Sequence, residues 1–314
     1  PFDEHVNVWF GLGDQVSVPT TFTTEVPWAV GVDEELFKVT DIGKGMTIMW
    51  MRWKAGDSGD RQERWPSTPP LVEVEGKFSK VYDPRDAGQD FDDPTTWLWS
   101  ENQALVVLDV LTQNPFRPYQ EKNLLLTLFS DAANVCDEVV TNRDLSTNMR
   151  YSVAGTLIFN GTELEDLVEP ILMAGASNLT RVAGRLGIVP GSYQTSTYTL
   201  TDVVGDIKYS TQKAANDLPT QVKVSYTSRD RNYEPAELEP YNIPNALTLD
   251  GGVDKVVEFS LSWIPIATQA MRVRNILANQ ARRQVSIEVL APPSAIKVIG
   301  GATVTSNFPS PYTR

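Results

Sequence analysis

Carboxylates are the chemistry-bearing groups this sequence has most of. It holds 40 Asp and Glu against 27 Lys and Arg, for a formal net charge of −13. The densest set is Asp83, Asp86, Asp90, Asp92 and Asp93. A hard cation such as calcium takes about six to eight oxygens, so five neighbouring aspartates are a candidate cage. The spacing lacks the glycine that an EF-hand loop needs at its sharp turn. The residues between are Gly, Pro and Thr, which favours a solvated loop whose aspartates make turns. Arg85 and Arg117 are the cations placed to offset part of that charge.

Two carboxylates about 5 to 10 Å apart in a cleft would suit glycoside cleavage. Glu163, Glu165, Asp166 and Glu169 lie close together, but at an expected helix start, where the helix dipole already accounts for acid. Glu234, Glu237 and Glu239 fall in an expected linker, and no pair stands out. Gly56-Asp57-Ser58-Gly59 sets a serine among small residues, as a nucleophile loop does. Asp60 stands where such a loop wants glycine, and His5, the only histidine, is the only imidazole available as a base. Cys136 is the only cysteine. It can form no disulfide within the chain and suits a reducing cytoplasm. Its apolar, helical surroundings predict a buried, inert thiol. Asn160-Gly161-Thr162 and Asn178-Leu179-Thr180 match glycosylation sequons but read as turn and strand junctions. There is no phosphate-cradling glycine loop, and Gly251-Gly252 reads as a turn. No cofactor or metal is called for.

The elements that must position these groups can be read in order. His5 to Phe10, Thr20 to Val30, Lys44 to Trp53 and Leu71 to Val81 carry strand signals, and the third is apolar on both faces, so it needs cover on both. Ser100 stands three residues before Gln103, the spacing of a capping box, and opens a buried helix over Ala104 to Leu111. Trp97 and Trp99 are expected to pack beside it. A second helix is expected over Glu121 to Val140, and a strand over Tyr151 to Phe159. Thr162 and Glu165 form another capping box before a helix that Pro170 should kink. Two short strands flank Ala183-Gly184, and Thr201 is placed to cap a short helix. Val222, Val224 and Tyr226 share one face of a strand, and a linker runs from Asp230 to Pro244. Asp254 to Trp263 alternates Val257, Phe259, Leu261 and Trp263 with Glu258, Ser260 and Ser262, giving one core face and one that is wet or at a subunit contact. Ile266 to Arg283 has a helical stripe, and Gln284 to Leu290 and Ala295 to Val304 read as strands.

A strand ending Val81-Tyr82-Asp83-Pro84-Arg85, an aspartate-rich loop, Trp97-x-Trp99-Ser100, then Asn102-x-Ala104-Leu105 and an apolar helix resembles the tail-tip hub proteins of long-tailed bacteriophages and of gene transfer agents. Their usual Ser-x-Asn-Pro-Ala carries Gln103 here in place of proline. Ala133 to Glu138, the Val222 to Tyr226 strand, and Gln269-Ala270-x-Arg272 with Ala281-Arg282 extend the likeness over roughly 71–304. Gly300-Gly301-Ala302-Thr303-Val304 lacks the aspartate of the family's last strand.

The resemblance implies an α+β, mostly β, multidomain hub with β-barrel-like tube domains and an α+β domain. The division expected is 1–117, β-rich and tube-associated; 118–245, α+β; and 246–314, β-rich and continuing beyond the chain end. It implies a structural, non-enzymatic homotrimer at the distal tip of the virion tail, assembled in the host cytoplasm. There it would close the tail tube, contact tube and distal tail proteins, and anchor tail fibre or receptor-binding proteins. It would reach the host outer-membrane receptor indirectly and open for DNA ejection. A net charge of −13 argues against gripping nucleic acid through a basic surface and fits a lumen that DNA slides through. Contacts between copies should bury on the order of 2,000 Å² or more. Trp50 and Trp53, with Phe259 and Trp263, are the expected interface aromatics. The alternatives are a tail-borne or secreted cell-envelope hydrolase and a host-receptor-binding tail protein.

Overall fold

A computed structural model of the chain describes residues 5–13, 15–25, 41–67, 72, 74–161, 163–214 and 217–307. It divides into two compact units, Pro1–Gly76 and Lys77–Arg314. The fold mixes helices with many short strands, an α+β arrangement with strands the commoner element. Among the described residues no sheet closes into a barrel. No helix among them is long and apolar enough to cross a membrane.

The first unit is built on β1 (Val6–Leu12), α1 (Thr20–Glu25), β2 (Thr47–Trp53) and α2 (Arg61–Arg64). β1 and β2 pair antiparallel over their whole length, with Trp9 opposite Trp50 and Phe10 opposite Met49. Successive side chains alternate between faces. Trp9, Ile48 and Trp50 therefore share one face, and Val18, Phe22 and Ile42 close over it. Phe22 meets Trp9 edge-on at 5.0 Å. The expected strand over 20–30 is a helix in its described part. The Thr23 and Thr24 hydroxyls both donate to Thr20 O at 2.8 Å, and burial of Phe22 outweighs the β preference of threonine. Residues 26–40 lie outside the described set.

The second unit runs β3 (Lys80–Val81), β4 (Leu98–Trp99), α3 (Gln103–Thr112), α4 (Leu126–Cys136), β5 (Val139–Thr141), β6 (Thr147–Met149), α5 (Leu164–Ala174), β7 (Asn178–Val182), β8 (Arg185–Val189), β9 (Tyr198–Leu200), β10 (Lys208–Ser210), β11 (Gln221–Ser228), β12 (Glu234–Glu237), β13 (Tyr241–Asn242), α6 (Ala246–Leu249), β14 (Val256–Leu261), α7 (Ala267–Ala281), β15 (Ser286–Glu288) and β16 (Val304–Ser306). Its largest sheet centres on β11, which pairs β14 in parallel on one edge and β12 and β13 antiparallel on the other. Val222, Val224 and Leu261 are buried from this sheet into one core with α3, α4, α5 and α7. Leu105, Leu108, Leu111 and Phe129 are fully buried there, each worth roughly 1.5–3 kcal/mol relative to exposure.

Several expected elements are shortened or replaced, in two cases because a tertiary partner competes for the backbone. The helix over 121–140 begins only at Leu126, since Leu125 N donates to Leu186 O. It stops at Cys136, after which Val139–Thr141 pairs with Thr147–Met149. Tyr151 to Phe159 makes no ladder beyond a bridge from Ser152 to Asn102. Its backbone is bonded instead to Cys136 O, Glu101 O, Trp263 O and the Gln269 side chain. The linker over 230–244 supplies two strands, β12 and β13. Of Leu71 to Val81 only Lys80–Val81 is strand among the described residues, and Phe78 is exposed. No helix follows Thr201, where Gly205 takes φ +93°. The last two expected strands shrink to Ser286–Glu288 and Val304–Ser306, with a 3₁₀ turn at Pro293–Lys297 between them. The capping role given to Thr162 lies outside the described residues, and Pro170 is accommodated inside α5.

Candidate functional site

The aspartate loop is a set of turns. Asp86 accepts from Gly88 N, Asp90 from Asp92 N and Asp93 from Thr95 N, all at 2.9–3.0 Å. Each carboxylate bonds the amide two residues on, which is how aspartate makes a turn. Trp97 is buried, and its indole N–H donates to Asp90 O at 2.7 Å. Trp99 is exposed instead, with the Lys77 ammonium 4.3 Å from its ring centre, which corrects the expectation that both tryptophans pack beside α3. Arg85 fastens the loop. Its guanidinium takes Asp83 through Nε at 2.9 Å and Nη2 at 2.7 Å, and reaches Asp137 at 2.9 Å and Asn134 at 3.1 Å. Burial works against the ionised Asp83, but these bonds outweigh it and hold the carboxyl below its usual range. Among the described residues, no group of three or more His, Cys, Asp or Glu is placed to hold a metal ion.

The start of α3 differs from the expected capping box. Asn102, with extended backbone, is the N-cap, and its Oδ1 accepts from Ala104 N and Leu105 N. Ser100 accepts from Asn102 N one step earlier. Asn102 Nδ2 bonds Ala133 O and Asp137, so the cap also ties α3 to the end of α4. That frees Gln103 for another task. Its Nε2 donates to Ile171 O at 3.1 Å, and its Oε1 accepts from Cys136 Sγ at 3.7 Å. From α7, Gln269 Nε2 donates to Ala174 O at 3.0 Å and Ser152 O at 2.9 Å, while its Oε1 accepts from Ser152 N. Two fully buried glutamines thus satisfy carbonyls at the C-terminal end of α5, which a helix leaves without partners. Gly175 follows at that end, where an added Cβ would meet Gln103 Oε1 and Ser177 Oγ at 2.7 Å. Cys136 is the buried thiol expected, and burial pushes its pKa up to about 12.

Two further charged groups lie inside this unit. Arg272 on α7 is held by Asn142, Asn148 and the carbonyls of Met149 and Arg150, and burial lowers its pKa. It pins the β5–β6 hairpin, whose tip residue Leu145 has φ 67°. Asp109 on α3 is half-buried, and burial alone pushes its carboxyl up to about 6.

None of these groups forms a catalytic constellation. Ser58 lies in the turn leading into α2, and His5 uses its carbonyl to accept from Lys54 N. Glu165 and Asp166 occupy the first turn of α5. A cleft of about 450 Å³ opens on the sheet around β11, lined by Lys223, Ser225, Glu237, Glu258, Phe259 and Ser260 among others. Its charged residues include the exposed pair Lys223–Glu258 at 3.7 Å.

The surfaces therefore carry the interest. Trp50 is 4% exposed and sits in the first unit's core, while Trp53 packs edge-on against Trp65 at 4.9 Å. Phe259 and Trp263 are partly buried against the second unit's core, and the Trp263 indole lies over Gly155, where a Cβ would come within 2.8 Å. On the other face of the β1–β2 ribbon, Val8 at 40%, Phe10 at 56% and Leu12 at 74% are exposed, as are single apolar side chains elsewhere in both units. Alternation along β1 puts these three on one face, which the pairing of Val6 with Trp53 extends to Trp53 of β2.

Residues 163–310 match the model of a family described as "Putative phage tail protein". The likeness of this segment is to phage tail proteins, over a little less than half of the chain. One chain of a solved structure described as "Virion of native gene transfer agent (GTA) particle" is similar to this one at 14% identity and a TM-score of 0.49, over 97% of this chain and 66% of that one. No curated protein matches the chain.

Proposed function

We propose that the chain is the hub at the tip of a siphophage-type or gene-transfer-agent tail. Three copies close the tail tube, anchor receptor-binding fibres and open for DNA ejection. The family match over 163–310 carries this reading, because it supplies the tail class to which the hub motifs of the N-terminal part add a position. The exposed apolar face of the β1–β2 ribbon supports assembly, since large apolar patches mark protein contacts. Copies meet along that face, beside Trp53 and opposite Trp50, and along β14, which carries Phe259 and leads to Trp263. Within the hub, 1–117 is the β-rich part that serves the tube, 118–245 the α+β part and 246–314 a β-rich part that ends in strand, helix and strands. The negative balance keeps DNA sliding through the lumen.

Gold-labelled antibody against this chain, imaged on purified particles, tests the reading. Label at the distal end of the tail is the expected result. Label on the capsid or along the whole tube would overturn the hub position. A particle preparation in which the chain is absent by mass spectrometry would overturn the virion role.

A further inference from the structure

We draw no further inference here: the strongest candidate, the exposed apolar face that Val8, Phe10 and Leu12 form on the β1–β2 ribbon, belongs to the assembly surface already proposed, and nothing in the structure shows what else covers it.

Discussion

The two units solve the problem of burying apolar surface to different degrees. The second encloses four helices and a sheet face in one core, and its buried polar groups are largely bonded within it, down to the α5 carbonyls taken by Gln103 and Gln269. The first rests on a small cluster, Val18, Phe22 and Trp50, and leaves Val8, Phe10 and Leu12 in solvent. A two-stranded ribbon is marginal by itself. One region is held by an extensive interior of its own, while the other has a small core beneath an exposed apolar strand face.

The contrast can be broken most severely from the inside of the second unit. Phe129→Ala should cost about 4 kcal/mol, since a fully buried ring leaves a cavity the packed helices cannot fill. A denaturant midpoint unchanged by that substitution would show the core to be looser than described. Gln103→Leu should cost about 3 kcal/mol, because Ile171 O loses its donor in the interior. If thermal unfolding of the Leu variant matched the parent, the glutamine caps would have no part in holding α5.

Asp109 gives an effect of opposite sign. Its folded carboxyl titrates at about 6, above an unfolded value near 4. Below the unfolded value the group is protonated in both states and costs nothing. Stability then falls as pH rises from about 4 to about 6, and the full cost persists above. Asp109→Asn should therefore stabilise the chain by on the order of 2 kcal/mol at pH 7 and by little at pH 4. An equal gain at both pH values would place the effect in packing rather than in charge.

The smallest expected stability change carries the largest expected change in assembly. Phe10→Ser should alter folding by about 0.5 kcal/mol or less, as exposed substitutions do. It should nonetheless remove association between copies. Trp50→Ala, one strand over and on the opposite face, should instead unfold the first unit's core.

Much of the second unit was legible because its signals are local and strong. The alternation of Val257, Phe259 and Leu261 predicts β14, and the stripe through Ala270 and Val273 predicts α7. Elements failed where a distant partner competed for the backbone. Tyr151 to Phe159 looks like a strand, yet its amides are bonded by Glu101, Cys136, Gln269 and Trp263, which no local pattern reveals. The capping role shifted from Ser100 to Asn102 for the same reason, because Asn102 also bonds Ala133 O and Asp137. At the surfaces, the pairing register turns Trp50 into the first unit's core and puts Phe10 and Leu12 on the open face, the face that Trp53 shares. Gln103, at the head of the largely apolar run Ala104 to Leu111, was the available signal for a buried cap, whereas Gln269 stands in a mixed stretch with Thr268, Arg272 and Arg274 and carried none.

The most direct test of the central claim is the mass in solution of the purified chain and of its Phe10→Ser variant, measured by sedimentation over a range of concentrations. Three copies are expected for the parent and one for the variant, both with unchanged secondary structure. A parent that stays a single copy at every concentration, or a variant that still forms trimers, would contradict it.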